Sequence, residues 1–207
     1  MKDVIFVLVA FALGVFFGYS GWIPDAVDCS RLSSIVLLVL MTQVGLGFGS
    51  GESFDMLRRD FRWEWLLLPF ATVGGTLVAA AAVGVFWALG SVADALAVGS
   101  GLGYYSLSSL LITQLKSLVS SPEMAVQLGI VALLANVARE LIAIVCAPFF
   151  AKVSPLSPIS AAGCSSCDIS LPVIARWSGE GMVPLSILHG VVLDMSVPVL
   201  VTFFCSF

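Results

Sequence analysis

Long apolar runs separated by short polar stretches make up most of the chain. A helix that spans a bilayer needs about 20 predominantly apolar residues. Two further segments, at 92–113 and 159–175, are apolar but interrupted. The uninterrupted segments, which predict transmembrane helices, are 4–20, 33–49, 65–89, 124–150 and 182–206.

Glycine and proline interrupt the two weaker segments. The first contains glycines at 99, 101 and 103, and the second contains Gly163, the polar run 164–168 and Pro172. Glycine weakens a helix and proline removes an internal hydrogen bond. Such backbone is tolerated at membrane depth where protein or a watery cavity satisfies it, and paired interruptions in secondary transporters mark the binding site. We therefore expect two discontinuous segments, with two ordinary kinked spans as the alternative.

The composition agrees with a chain whose main solvent is lipid. Of 207 residues, 59% are hydrophobic and 11% are charged, whereas soluble domains contain about 25% charged residues. No basic run is longer than Arg58-Arg59, so nucleic acid binding is not expected. The expected fold class is all-α. It is a polytopic integral membrane protein with 5–7 transmembrane helices, including two discontinuous or re-entrant segments, in a single transporter domain over 1–207.

The N-terminus has features of a cleaved signal peptide. A lysine at position 2 precedes an apolar run that ends at Tyr19, as in many secretory signals. The sequence at 18–22 is a poor cleavage site, however, and a second apolar run follows. We therefore interpret 4–20 as the first transmembrane helix.

The distribution of lysine and arginine predicts the orientation of the chain. Three arginines lie in the loop at 50–64, which predicts a cytoplasmic loop, a cytoplasmic N-terminus and a periplasmic C-terminus. Seven complete spans and five spans plus two hairpins give the same balance, because Lys116 and Lys152 merely exchange sides. Charge therefore leaves both topologies open, and in the second the hairpins enter from opposite faces.

Polar residues cluster in the middle of the segment 124–150. A charge at this depth costs about 2.5–3.5 kcal/mol on insertion scales. The presence of Arg139 and Glu140 in this span therefore indicates a structural or functional role. Asn136 and Glu140 are four residues apart and share a helix face, whereas Arg139 points elsewhere. We expect Glu140 to face a cavity and Arg139 to pair with Asp168. A purely structural ion-pair network is the alternative.

The last predicted span carries two further candidates, His189 and Asp194. A carboxyl at depth can stay protonated, and histidine can relay protons near neutral pH. For His189 we favour a structural hydrogen-bonding role over a relay. Tyr105 and Ser166 belong to hydroxyl-rich stretches at 104–109 and 165–170 that can bind a substrate. Asp94, which opens the first weak segment, is expected at the membrane interface.

Neither a metal, a cofactor nor a catalytic residue is expected. The five cysteines lack the regular spacing of a disulfide framework. Cys164 and Cys167 have the spacing of a metal or redox motif, but one such pair is weak support. Glycine pairs such as Gly14 and Gly18 have the four-residue spacing that lets membrane helices pack closely.

These residue types suit a cationic or ion-coupled substrate. A small cationic amino acid needs anionic contacts for its side chain, which Glu140 and Asp168 can supply. Its carboxylate needs donors, which Arg139 or backbone N–H groups at a helix start can supply. The residues alone thus predict a transporter and leave the substrate unnamed.

Three stretches of the chain resemble the LysO-type lysine exporter family. They are GSGLGYYSLS at 99–108, ARELIAI at 138–144 and DISLPV at 168–173, and the ending at 182–198 is also similar. In the first hundred residues we find a match in hydropathy only. The resemblance implies export of L-lysine, and of its toxic analogue thialysine, across the bacterial inner membrane. It also implies that Glu140 and Asp168 are the intramembrane acids that transport needs.

The chain is shorter than a single-chain member of this family. We therefore expect the larger half of a split exporter with a small membrane partner subunit, or else a homodimer. The expected mechanism is alternating access with proton-coupled antiport. The alternatives are a non-transporting membrane scaffold or accessory subunit, and an intramembrane enzyme that uses a serine, His189 and Asp194.

Overall fold

A computed structural model of the chain describes residues 62–86 and 90–207, and before them only Phe16, Ser20, Ile35, Val39 and Thr42. The chain divides into two units, Met1–Gly47 and Phe48–Phe207. The five single residues belong to the first unit and are helical. The predicted spans 4–20 and 33–49 lie outside the described residues, as does most of the loop at 50–64.

The described part of the second unit consists of helices joined by short turns, and it contains no strand. Three-residue to five-residue 3₁₀ turns lie at Trp63–Leu66, Gly163–Cys167 and Glu180–Met182. The all-α prediction is therefore confirmed. The helices are α1 (Leu67–Phe86), α2 (Val92–Gly99), α3 (Tyr105–Lys116), α4 (Pro122–Val153), α5 (Ser157–Ala162), α6 (Leu171–Ser178) and α7 (Val183–Cys205).

Three described stretches are long and apolar enough to cross a membrane: Trp63–Phe86, Pro122–Val153 and Glu180–Cys205. They correspond to the predicted spans 65–89, 124–150 and 182–206. Large apolar side chains project from α1, α4 and α7 with most of their surface exposed, as lipid contact requires. This part of the chain is an integral membrane protein.

The segment after α1 folds back on itself as hairpin 1 (residues 92–116). It begins with a capping box, in which Ser91 and Asp94 exchange side-chain and backbone hydrogen bonds. The Asp94 carboxylate at its start then binds the Lys116 ammonium at its end, at 2.7 Å. Because the two ends of the segment meet, α2 and α3 are the arms of a hairpin and 100–104 is its tip.

The segment between α4 and α7 forms hairpin 2 (residues 157–178). Its arms are α5 and α6, and its tip is the turn Gly163–Cys167 with the residues that follow. Ile159 from one arm and Ile174 from the other pack with Ala143 of α4 and Leu185 near the start of α7. The base of hairpin 2 thus lies at the beginning of α7.

The two hairpins enter the bundle from opposite ends, and their tips touch. Cys205 at the end of α7 lies within electrostatic range of the Asp94–Lys116 pair, which places the base of hairpin 1 there. Between the two bases, the backbone N–H of Cys164 donates to the carbonyl of Leu102 at 2.9 Å. The predicted discontinuity is confirmed, and the alternative of two kinked spans is wrong. The described part matches the topology in which both weak segments are hairpins.

Candidate functional site

The contact between the hairpin tips requires unusual backbone conformations. Leu102 has a positive φ of 47° although it is not glycine, and its side chain is fully buried. Gly103 follows with a φ of 101°, and a Cβ there would press against the Ala162 carbonyl. Residues held in such conformations cluster at ligand sites and switch regions, where the surrounding structure enforces them. The tip of hairpin 1 has this character.

Asn136 fixes the tip of hairpin 1 to the middle of α4. Its Oδ1 accepts a hydrogen bond from the backbone N–H of Gly103 at 2.7 Å. Its Nδ2 donates to the Ala132 carbonyl at 2.8 Å and to Ser108 Oγ at 3.3 Å. The side chain is buried, so the amide that we predicted to bind substrate has its polar atoms engaged by the protein. Its position makes it an anchor for the tip.

Arg139 anchors hairpin 2, and the expected pairing with Asp168 is wrong. Its Nε and Nη2 donate to the carbonyls of Ala161 and Ser160, each at 3.0 Å, and Nη1 donates to Thr76 Oγ1 at 3.3 Å. The last carbonyls of a helix lack partners within that helix and carry its negative dipole end. The end of α5 therefore attracts the guanidinium, and no acidic partner is required.

Asp94 lies in a buried ion pair at the base of hairpin 1. Asp94 is 8% exposed and Lys116 is 3% exposed, so protein shields both charges. The position of Asp94 at the membrane interface stays a prediction. Among the described residues, this ion pair joins the two ends of hairpin 1. Removing one partner of such a buried pair would leave an uncompensated charge, so each residue depends on the other.

His189 has the hydrogen bonds that we favoured for it. The ring is fully buried in α7. Its Nε2 lies 3.0 Å from Thr72 Oγ1 of α1, and its Nδ1 lies 3.0 Å from Ser166 Oγ in the tip of hairpin 2. Ser166, another predicted binding residue, is likewise fully buried and bonded within the protein.

Three other predicted residues do come together beside the hairpin tips. The carboxyls of Glu140 and Asp168 lie within electrostatic range of each other, and the Tyr105 phenol lies within range of both. Asp168 is exposed at the end of the tip of hairpin 2, where its Oδ1 accepts the Ile169 N–H. Glu140 is half-buried on α4. No cationic side chain of the described part forms an ion pair with either acid, so this pair can accept a cation.

Asp194 also lies near the contact between the tips. Its carboxyl lies close to the Cys164 thiol and within electrostatic range of Asp168. Cys164 thus joins three elements, because its backbone N–H binds Leu102 of hairpin 1. Among the described residues, no group of three or more histidine, cysteine or acidic side chains is arranged to hold a metal ion.

The sequence interpretation missed the hydroxyl residues that support the site. Thr72 and Thr76 are one helical turn apart on the otherwise apolar α1, and Ser160 lies on α5. Thr72 Oγ1 and Ser160 Oγ are 2.8 Å apart. Two threonines at a spacing of four residues share a helix face, which is the signal that could have identified this polar stripe.

Known proteins are similar to this chain over most of its length. The family model described as "Lysine exporter LysO" matches residues 8–205, so similarity extends into the first hundred residues, where we saw hydropathy alone. "Lysine exporter LysO" of Escherichia coli (strain K12) is 32% identical over 204 residues, which cover 96% of this chain and 61% of that protein. A "Putative lysine exporter" of Haemophilus influenzae is 29% identical over 116 residues, covering 56% of this chain and 55% of that protein. The chain therefore spans less than two thirds of either relative. No solved structure is significantly similar to it.

Proposed function

We propose that this chain, which belongs to the lysine exporter LysO family, exports L-lysine across the bacterial inner membrane by alternating access. The observation that carries the proposal is the pairing of Glu140 with Asp168 beside the hairpin tips, with no cation from the described part bound to either. Acids at membrane depth are costly and are retained for a purpose. Binding of a cationic substrate would be such a purpose for Glu140 and Asp168.

The two ends of lysine have different requirements. Its side-chain ammonium binds between Glu140 and Asp168, with the Tyr105 hydroxyl as a neighbour. Its carboxylate cannot use Arg139, whose donors are bound to carbonyls. The first N–H groups of α3, which have no partner within that helix, are the better donors. Thialysine keeps both charged ends and therefore fits the same site.

Coupling to protons follows from the chemistry of the acids. A carboxylate that binds an ammonium cannot hold a proton at the same time, so lysine and protons compete for Glu140 and Asp168. Lysine export coupled in this way to proton entry is an antiport. The predicted orientation, with a cytoplasmic N-terminus and a periplasmic C-terminus, belongs to the same proposal.

The arrangement of the hairpins suits alternating access. Each hairpin has its base at one end of the bundle, and the tips are joined by the Cys164–Leu102 hydrogen bond. Small displacements of either tip would open the acid pair toward one end. We further propose that the chain works together with a small membrane partner subunit or a second copy of itself.

Lysine flux in proteoliposomes tests this function. Wild-type protein under an imposed proton gradient should move radiolabelled L-lysine against its concentration gradient, and Asp168→Asn should abolish this movement. Glu123→Gln is the matched control, because Glu123 lies in the first turn of α4, exposed and away from the tips. If neither the chain alone nor the chain with a partner subunit moves lysine, the proposal is wrong. A scaffold role would instead be indicated if Glu140→Gln impaired folding and left flux per folded molecule unchanged.

A further inference from the structure

The first arm and the tip of hairpin 2 are tied to the spanning helices through one buried imidazole. On one side, His189 Nε2 meets Thr72 Oγ1, which in turn meets Ser160 Oγ in the first arm. On the other side, Nδ1 meets Ser166 Oγ in the tip. The ring is fully buried, so water does not compete for these bonds.

The hydrogen-bond directions define the protonation of the ring. Ser166 Oγ donates its only hydrogen to the Ser186 carbonyl at 3.1 Å. It must therefore accept from Nδ1–H. Thr72 can then donate to an unprotonated Nε2 while it accepts from Ser160. Each hydroxyl hydrogen is used once, which makes a continuous chain around a neutral ring.

This chain of hydrogen bonds ends two residues before Asp168. The Ser186 hydroxyl donates back to the Ser166 carbonyl at 2.7 Å, so Ser166 is held on α7 by its side chain and its backbone. Within the tip, Ser170 N–H donates to the Ser165 carbonyl at 2.9 Å, and the two hydroxyls are 2.8 Å apart. The turn thus closes around Asp168, and whatever fixes Ser166 also fixes Asp168.

A glycine lets the tip approach α7 closely enough for these bonds. A Cβ at Gly190 would lie 2.6–2.8 Å from the Cβ, the backbone nitrogen and the Sγ of Cys167. Two independent features of α7, a buried ring with two bonds and a glycine beside it, therefore serve the same contact.

We propose that His189 is a positioning residue that sets the place of Asp168 relative to Glu140 through Ser166. The inference rests on the proposed transport function, since lysine affinity is one of its readouts. Its two ring nitrogens have separate tasks: Nδ1 holds the tip that carries Asp168, and Nε2 holds the first arm.

Two amide variants separate these tasks. In His189→Asn the amide lies near the position of Nδ1 and keeps the bond to Ser166, whereas in His189→Gln it lies near Nε2 and keeps the bond to Thr72. We expect His189→Gln to raise the KM for lysine about tenfold, because a buried partner is left unpaired. His189→Asn should raise it only about twofold. Ser166→Ala should repeat the effect of His189→Gln. Ser196→Ala is the control, since the Ser196 hydroxyl donates to the Val192 carbonyl of its own helix.

Labelling of the native Cys167 thiol reports the tip directly and needs no transport. Fragment-resolved mass spectrometry after N-ethylmaleimide treatment should show several-fold faster labelling in His189→Gln and Ser166→Ala than in His189→Asn. Equal KM values and equal labelling in wild type, His189→Gln and Ser166→Ala would overturn the proposal. So would loss of flux in both amide variants with wild-type labelling, since the imidazole itself would then be required. If the wild-type protein moves no lysine either alone or with a partner subunit, the proposed function fails, and the labelling rates alone decide the role of His189.

Discussion

Replacement of Arg139 by methionine tests whether the end of α5, rather than an acid, is the partner of this buried cation. Methionine keeps the length and removes every donor, so the carbonyls of Ser160 and Ala161 lose their hydrogen bonds. Bonds to a charged group contribute roughly 1.5–3 kcal/mol each, while removal of the charge relieves its desolvation cost. The net destabilisation should be about 3 kcal/mol.

Thermal unfolding of the purified protein in detergent measures this loss. For a chain of this size each kcal/mol lowers Tm by roughly 2–4 °C, so Arg139→Met should lower it by about 6–12 °C. Arg176→Met is the control, because Arg176 is exposed and lies over the Trp177 ring. The decisive comparison is Asp168→Asn. If Arg139 were paired with Asp168, that variant would leave a buried charge unpaired and cost about 3–5 kcal/mol. An equal fall in Tm for Arg139→Met and Asp168→Asn would therefore refute our assignment.

Three further predictions concern the anchors of the two hairpins. Asn136→Ala should lower the free energy of unfolding by about 1–3 kcal/mol, measured by denaturant titration, because the tip amide of hairpin 1 loses its acceptor. Gly190→Ala should reduce lysine flux more than tenfold, because the added methyl displaces the tip of hairpin 2, whereas Gly181→Ala, which meets open space, should retain it. Asp94→Asn should cost about 3–5 kcal/mol in thermal unfolding by stranding Lys116, and the additional change Lys116→Met should restore most of that loss.

The sequence predicted most of the helices and the two breaks because these depend on local chemistry. Long apolar runs at 65–89, 124–150 and 182–206 need only lipid to become helices. Three glycines within 99–103, and Gly163 beside a polar run, weaken a continuous helix at these two places. Both features can be recognised without any knowledge of tertiary contacts.

Whether each break produces a hairpin or a kinked span could not be predicted from local chemistry. A hairpin and a kinked span have the same composition, and the balance of lysine and arginine is the same for both. The distinction depends on a long-range contact, the ion pair between Asp94 and Lys116. The sequence alone does not reveal that Asp94 and Lys116 are partners.

The site was predicted in part for a related reason. Formal charges pointed to Glu140 and Asp168, which do lie near each other. The same emphasis on charge gave Arg139 an acidic partner, although backbone carbonyls at the end of a short helix bind it. Such carbonyls become available only once α5 is known to end at Ala162, which the periodicity of a six-residue helix cannot establish.

The release of protons on lysine binding tests the central claim most directly. Purified protein in weakly buffered detergent, with a pH indicator dye, should release about one proton for each lysine bound, because the ammonium displaces the proton from the acid pair. Asp168→Asn should abolish both binding and release, while Glu123→Gln should retain both. Tight lysine binding by the wild-type protein without proton release, or unchanged release in Asp168→Asn, would contradict a shared site for lysine and protons at Glu140 and Asp168.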